Sequence, residues 1–273
     1  LPTVEEIFRL QGMEEYEKWE KLYLPKTSAP GKAILLAASK GHNFGNLTDE
    51  RPKAMLEVEG KPVIAHAVSA FKTGGLRDVT VITGYKPEAF NLTSVTYKNN
   101  EQWEQTGEVG SLLVAKKAIS GKCIIGYGDV VVRPFIVENL LRGKGDITVV
   151  VDYKQPSKKN RKSVDWARVT PARVENAPLK DVDYTLTRLD DRLEPTDASG
   201  EWVGLVGMSD AGAKSFVAAI DKLAGEGVEV QKWSLPQLLN HLIENGVKVN
   251  VQYVHDNWID IDDIADLSDL YKF

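Results

Sequence analysis

One cysteine in 273 residues excludes an intrachain disulfide, so nothing covalent staples this chain beyond its backbone. That residue, Cys123, lies in the apolar run Cys123-Ile124-Ile125 and reads as a buried strand position. With no secretory leader visible, it predicts a cytoplasmic protein. Long hydrophobic runs are also missing: no stretch approaches the roughly 18 continuous apolar residues that cross a bilayer. Positive charge is in short supply. The net charge is −5, and the basic residues are interspersed apart from Lys158, Lys159, Arg161 and Lys162, which argues against a nucleic-acid surface and makes any polyanion site local. Internal repeats are absent, and so are two familiar phosphate-binding fingerprints: G-x-x-x-x-G-K-[ST] does not occur, and Gly41 with Gly45 does not complete G-x-G-x-x-G.

What is present suffices for one α/β domain with a full core, 42% of residues being hydrophobic and 27% charged. From residue 31 onward, apolar strands alternate with helices, as a mixed, mostly parallel sheet requires. Strands are predicted at 33–38, 79–83, 123–127, 147–152 and 201–207, with a last one at 249–254 or 257–262. Helices are predicted at 63–74, 110–118, 134–141, 209–224 and 233–245. Residues 153–200 break the rhythm and read as hairpins and loops placed over the open end of the sheet, where an acceptor is gripped; Lys154 and Arg161 are its candidate cations. Before the domain, Thr3 and Glu6 have capping-box spacing, and Ile7, Leu10, Met13, Tyr16, Trp19 and Leu22 recur at helical intervals. The chain starts at Leu1 without a methionine, which suggests excision from something longer, with 1–30 as a helical remnant and 31–273 as the domain.

The most informative stretch is AILLAASKGHNFGNLTDERPKAMLEVEGKP, residues 33–62. Its apolar start suits a strand covered on both faces. It opens into a loop of Ser39, Gly41, Gly45 and Asn46, whose backbone can turn N–H groups toward an anion, with Lys40, His42, Arg51 and Lys53 supplying charge. A polyphosphate is the natural guest. This run resembles the sugar-phosphate and phosphocholine nucleotidyltransferases, whose first strand reads LAAGxGxRLxxLTxxxPKxLLxVxGKPL; Ala37, Ala38, Gly41, Leu47, Thr48, Pro52, Lys53, Leu56, Val58, Gly60, Lys61 and Pro62 match. Two positions depart from it. Ser39 replaces a glycine and Asn43 replaces the catalytic arginine, leaving Lys40, His42 or Arg51 to supply that charge. The variant loop is similar to nucleotidyltransferase modules fused to phosphoenolpyruvate phosphomutases, and PTVEEIFRLQG at the N-terminus resembles the end of such a mutase.

That resemblance implies a Rossmann-like three-layer nucleotidyltransferase fold, and a reaction in which CMP passes from CTP to 2-hydroxyethylphosphonate or 2-aminoethylphosphonate in phosphonate antibiotic biosynthesis. Lys53 would hold the α-phosphate and the incoming phosphonate, and the amides of Ala37, Ala38, Ser39, Lys40 and Gly41 the remaining phosphates. Asp129, in Gly126-Tyr127-Gly128-Asp129 at the carboxyl end of a strand, matches the family's magnesium ligand. In Trp258-Ile259-Asp260-Ile261-Asp262-Asp263, the strand period of two puts Asp260 and Asp262 on one face as hard oxygen ligands for Mg2+. Asp263 is better read as a helix N-cap. Glu108 and Gly84 match the walls of the base pocket; Ser111 either hydrogen-bonds there or caps the following helix, and sequence favours the cap. Glu201 and Trp202 match the acceptor-facing strand, though Trp202 also suits the core. The alternatives are a phosphocholine or sugar-1-phosphate nucleotidyltransferase, and, from another class, a non-catalytic nucleotide-binding module regulating a fused mutase.

Overall fold

A computed structural model of the protein describes residues 31–153, 164–173, 182–194 and 196–273. The N-terminal helical remnant, Lys154 and Arg161 lie outside the described residues. In chain order the elements are β1 (Gly31–Ala37), β2 (Glu57–Val58), β3 (Lys61–Pro62), α1 (Val63–Thr73), β4 (Leu76–Thr83), β5 (Thr96–Asn99), α2 (Glu108–Val114), β6 (Cys123–Tyr127), β7 (Val130–Val132), α3 (Pro134–Arg142), β8 (Ile147–Asp152), β9 (Trp166–Thr170), β10 (Thr185–Asp190), β11 (Gly200–Met208), α4 (Asp210–Gly225), α5 (Leu235–Glu244), β12 (Val249–Val254), β13 (Trp258–Asp260) and α6 (Ile264–Leu270).

β1 is central because it can be buried twice. Ala33, Leu35 and Ala37 feed one core with α1, α3 and α6, while Ile34 and Leu36 feed the other with α2, α4 and α5, as strand alternation dictates. The result is three layers. β1 pairs in parallel with β4 and β6, whereas β11 runs antiparallel to β6 and β8, giving the order β5-β4-β1-β6-β11-β8-β12-β10-β9. The two placements considered for the last strand are both occupied: β12 extends the main sheet beside β8, and β13 pairs with β7 outside it.

Within the segment 153–200, the described strands β9 and β10 depart from the expected placement. β9 and β10 form the expected antiparallel hairpin, but they extend the sheet rather than cover its open end. β10 meets β12 at Thr185–Asn250, and β9 pairs with the first residues of β11, closing a ring β11-β8-β12-β10-β9. The cause is in β11. Gly204 has φ +83, and a Cβ there would stand 2.5 Å from the Tyr127 ring, so the strand bends at a position only glycine occupies without strain. Its second half follows β6 and its first half peels away to β9.

Candidate active site

The loop after β1 is held by its own side chains. Thr48 is fully buried and its hydroxyl donates to the carbonyls of Gly41, at 3.0 Å, and Gly45, at 3.3 Å. Pro52 sets the extended residue before a short turn at Lys53–Met55, and the Lys53 amide donates back to the Lys40 carbonyl at 3.0 Å. Gly41 has φ +86, and a Cβ there would lie 2.6 Å from the Lys53 Cβ and 3.0 Å from its Cδ. Glycine therefore lets the loop close over the lysine stem.

The ammonium of Lys53 reaches the carboxylate of Asp129 and lies 3.4 Å from Asp262 Oδ1. Three hydrogen bonds donated by backbone amides bring these acids there. Gly128 donates to Leu36 at 2.8 Å, which ties Asp129 to the end of β1, and Ile261 donates to the Asp129 carbonyl at 3.1 Å. Ile261 is fully buried between Asp260 and Asp262. The Asp262 amide donates to the buried carboxylate of Asp266 at 2.8 Å. Asp263 is the N-cap of α6, its side chain accepting from Ala265 and Asp266, as the sequence suggests. Burial opposes the charge on Lys53, but Asp129, Asp260 and Asp262 outweigh it and hold the ammonium above the ordinary lysine range.

Among the described residues, no group of three or more His, Cys, Asp or Glu side chains is arranged to hold a metal ion. Asp129 and Asp262, sharing one ammonium, nevertheless offer the hard oxygens that suit a magnesium ion completed by water and substrate oxygens. The donor set fits.

Lys40 and Arg51 are not in this cluster. Lys40 pairs with Asp49 at 2.9 Å and sits 5.5 Å from the Tyr85 ring, while Arg51 pairs with Glu57 at 3.4 Å on the surface. His42, Asn43 and Ser39 are exposed and Ala37 is buried. Ala38 accepts from the Tyr85 amide at 2.8 Å, and Gly84 lies against that carbonyl and Trp103. Tyr85 and Trp103 meet edge-on at 5.6 Å.

Ser111 is not a helix cap. α2 starts at Glu108, earlier than the expected 110, so Ser111 falls inside the first turn and cannot cap it. It is buried and accepts from Asn100 Nδ2 at 3.0 Å. One carboxylate oxygen of Glu108 accepts from the Leu235 amide at the start of α5, at 2.9 Å. Burial pushes the Glu108 carboxyl upward, against that bond.

Sequence reasoning missed two residues. Asp165, just before β9, is raised to about 6 by burial first and then by Glu108, Asp191 and Asp262. The Tyr127 hydroxyl is driven well above its ordinary value by burial, then by Glu108, Asp165, Asp129 and Asp260. Tyr127 thus feels the carboxylates of Glu108 and Asp165 as well as those of Asp129 and Asp260. Tyr127 stood next to the Gly128-Asp129 pair and was there to be noticed, but no local pattern marks Asp165. Trp202 takes the core alternative: it is 4% exposed, its indole donates to the Leu205 carbonyl at 3.3 Å, and its ring backs Tyr127 at 5.8 Å. Its amide holds the Asp165 carbonyl at 2.8 Å. Glu201 is buried between β8 and β9.

Residues 33–227 match the family described as the MobA-like NTP transferase domain. This chain belongs to that family. The MobA-like match takes in Lys53, Glu108, Asp129, Asp165 and Trp202 and ends before Asp260 and Asp262, which the fold alone delivers to the site. Among relatives, the CTP:phosphoglutamine cytidylyltransferase of Campylobacter jejuni subsp. jejuni is 25% identical over 257 residues, covering 86% of this chain and 97% of that one. The CMP-5'-(3-aminopropyl)phosphonate synthase of Streptomyces rubellomurinus is 26% identical over 121 residues, 41% of this chain and 19% of its own length. The structure of CTP:phosphocholine cytidylyltransferase from Streptococcus pneumoniae superposes with a TM-score of 0.68 at 20% identity, covering 89% of this chain and 99% of that one, and shows a shared fold. Among the described residues, no helix of this MobA-like domain is long and apolar enough to cross a membrane.

Proposed function

We propose that this domain is a cytidylyltransferase that moves CMP from CTP onto a small phosphonate. A phosphonate oxygen attacks the α-phosphorus, a new P–O–P bond forms, and the bond to the β-phosphate breaks with release of pyrophosphate. The acceptor oxygen is already ionised near neutral pH, so the protein's task is positioning and charge neutralisation. The observation that carries the reading is the Lys53 ammonium held by Asp129 and Asp262 beside the loop that follows β1. Lys53 is the cation placed to meet charge building on the α-phosphate. Asp129 and Asp262, with Asp260 beside them, would hold a magnesium ion, which when bound screens the triphosphate. Glu108 faces the base side and would accept from the amino group of cytosine, and Tyr127 closes the floor between the two halves. The phosphomutase fusion and the cytoplasmic setting belong to the same proposal.

A phosphorylated small molecule other than a phosphonate is the second reading, because the relative named for phosphoglutamine aligns over 97% of its length and the one named for a phosphonate over only 19%. A non-catalytic regulatory module is disfavoured by the intact Lys53 cluster. Pyrophosphate release measured over CTP, UTP, ATP and GTP, against 2-aminoethylphosphonate, 2-hydroxyethylphosphonate, phosphocholine and hexose 1-phosphates, tests the assignment. CTP is expected to be preferred over UTP by about tenfold or more, since a buried unpaired polar group costs about 1–3 kcal/mol. Equal use of both would remove cytidylyl transfer from the account.

A further inference from the structure

We infer that Lys53 is a built-in counter-cation that keeps the divalent ion out of the free protein: its ammonium occupies the space between Asp129 and Asp262, so metal and lysine exclude each other until nucleotide phosphates draw the lysine away. This rests on reading the cluster as a nucleotidyl-transfer centre, and it adds an order of loading to it.

The geometry supports it in three ways. First, the Nζ contacts Asp129 and lies 3.4 Å from Asp262 Oδ1, so the oxygens that suit a metal are already engaged by a cation. The Lys53 and Asp129 side chains are only 16% and 12% exposed, and water screens such a pair poorly. Second, the lysine is fixed at its base and free at its tip. Gly41 lies so close to the stem that a Cβ there would clash from Lys53 Cβ to Cδ, and the Lys53 amide is tied to Lys40, which leaves the last bonds to swing the ammonium from the carboxylates toward a phosphate. Third, the two cations would compete for the same oxygens, since Asp129 and Asp262 already hold the ammonium. Adding a divalent ion within a few ångströms of the ammonium sets like charges together in a shielded site, where their repulsion is large. A triphosphate offers the ammonium other oxygens, which frees the carboxylates for the metal. Lys40 and Arg51 lie outside the cluster, each paired with an acid elsewhere.

The test uses Mn2+ as a spectroscopic stand-in for magnesium, titrated by electron paramagnetic resonance into the protein without nucleotide. Lys53→Met keeps the stem and removes the charge. It is expected to bind Mn2+ at least about tenfold more tightly than the wild type, and its melting temperature is expected to rise with Mn2+ more than the wild type's. Wild-type protein should reach comparable affinity only when CTP is present. Lys53→Gln, which keeps a polar tip, serves as a second variant if the methionine variant folds poorly, with the same gain expected. The double variant Lys53→Met with Asp129→Asn should lose the gain, which locates it at this cluster. Equal Mn2+ affinity in wild type and both Lys53 variants, including no detectable binding by any of them, would overturn the inference. Because the deciding comparison of wild type with the Lys53 variants contains no nucleotide, its failure leaves the pyrophosphate assay standing, and failure of that assay leaves it standing.

Discussion

Lys53→Ala is expected to release pyrophosphate about 10²–10³ times more slowly than the wild type, the usual cost of removing one contact to charge that develops in a transition state. The loss should fall on turnover. Lys53 contributes one ammonium, whereas in the proposed reaction the loop after β1 and the Glu108 side would also grip the nucleotide, so calorimetry should still detect CTP binding. The fold should survive, because Thr48 and the Lys53 backbone amide hold the loop independently of the side chain. Loss of the ammonium also leaves Asp129, Asp260 and Asp262 repelling one another, so the variant should melt earlier than the wild type in the absence of divalent ions. Near-normal turnover would move the role to Lys40, the other lysine of this loop.

Asp129→Asn should lower turnover by at least about 10³-fold, since it removes both the anchor of Lys53 and an oxygen suited to a cation that screens the triphosphate. Asparagine keeps the shape, and the Asp129 main chain remains pinned by Ile261. The pair with Lys53 is nearly dehydrated, but Asp262 stays within 3.4 Å of the ammonium, so the variant should remain folded by circular dichroism while pyrophosphate release collapses. Retention of more than a tenth of wild-type turnover would take Asp129 out of the centre.

How much of this could be read from the sequence follows the range of the interactions involved. Local patterns were legible: the doubly apolar β1, the run Cys123–Tyr127, β8 at Ile147–Asp152, and Asp263 as a cap all depend on residues within a few positions of each other. The first acidic site was legible because Asp129 follows a strand directly. The pairing of Lys53 with Asp262 was not, since the two are 209 positions apart and meet only through the β7–β13 pairing and the Asp266 bond. Ser111 was misread because the helix starts on Glu108, whose carboxylate is itself engaged at the head of α5 rather than free to follow a local capping rule. The curl of the sheet hinges on Gly204, whose neighbours in sequence look like any buried strand. Asp165 became visible only when that curl brought β9 against β11 and set its carboxyl among Glu108, Asp191 and Asp262.

Phosphorus-31 NMR of CTP mixed with the enzyme, Mg2+ and one acceptor, run separately for 2-aminoethylphosphonate, 2-hydroxyethylphosphonate and phosphocholine, examines nucleotidyl transfer most directly. The account predicts that a phosphonate resonance is replaced by a doublet coupled to the α-phosphorus of a CMP adduct, with pyrophosphate appearing in equal amount. Pyrophosphate with free CMP and no coupled pair, or a spectrum in which all three acceptors and CTP stay unchanged, would contradict it.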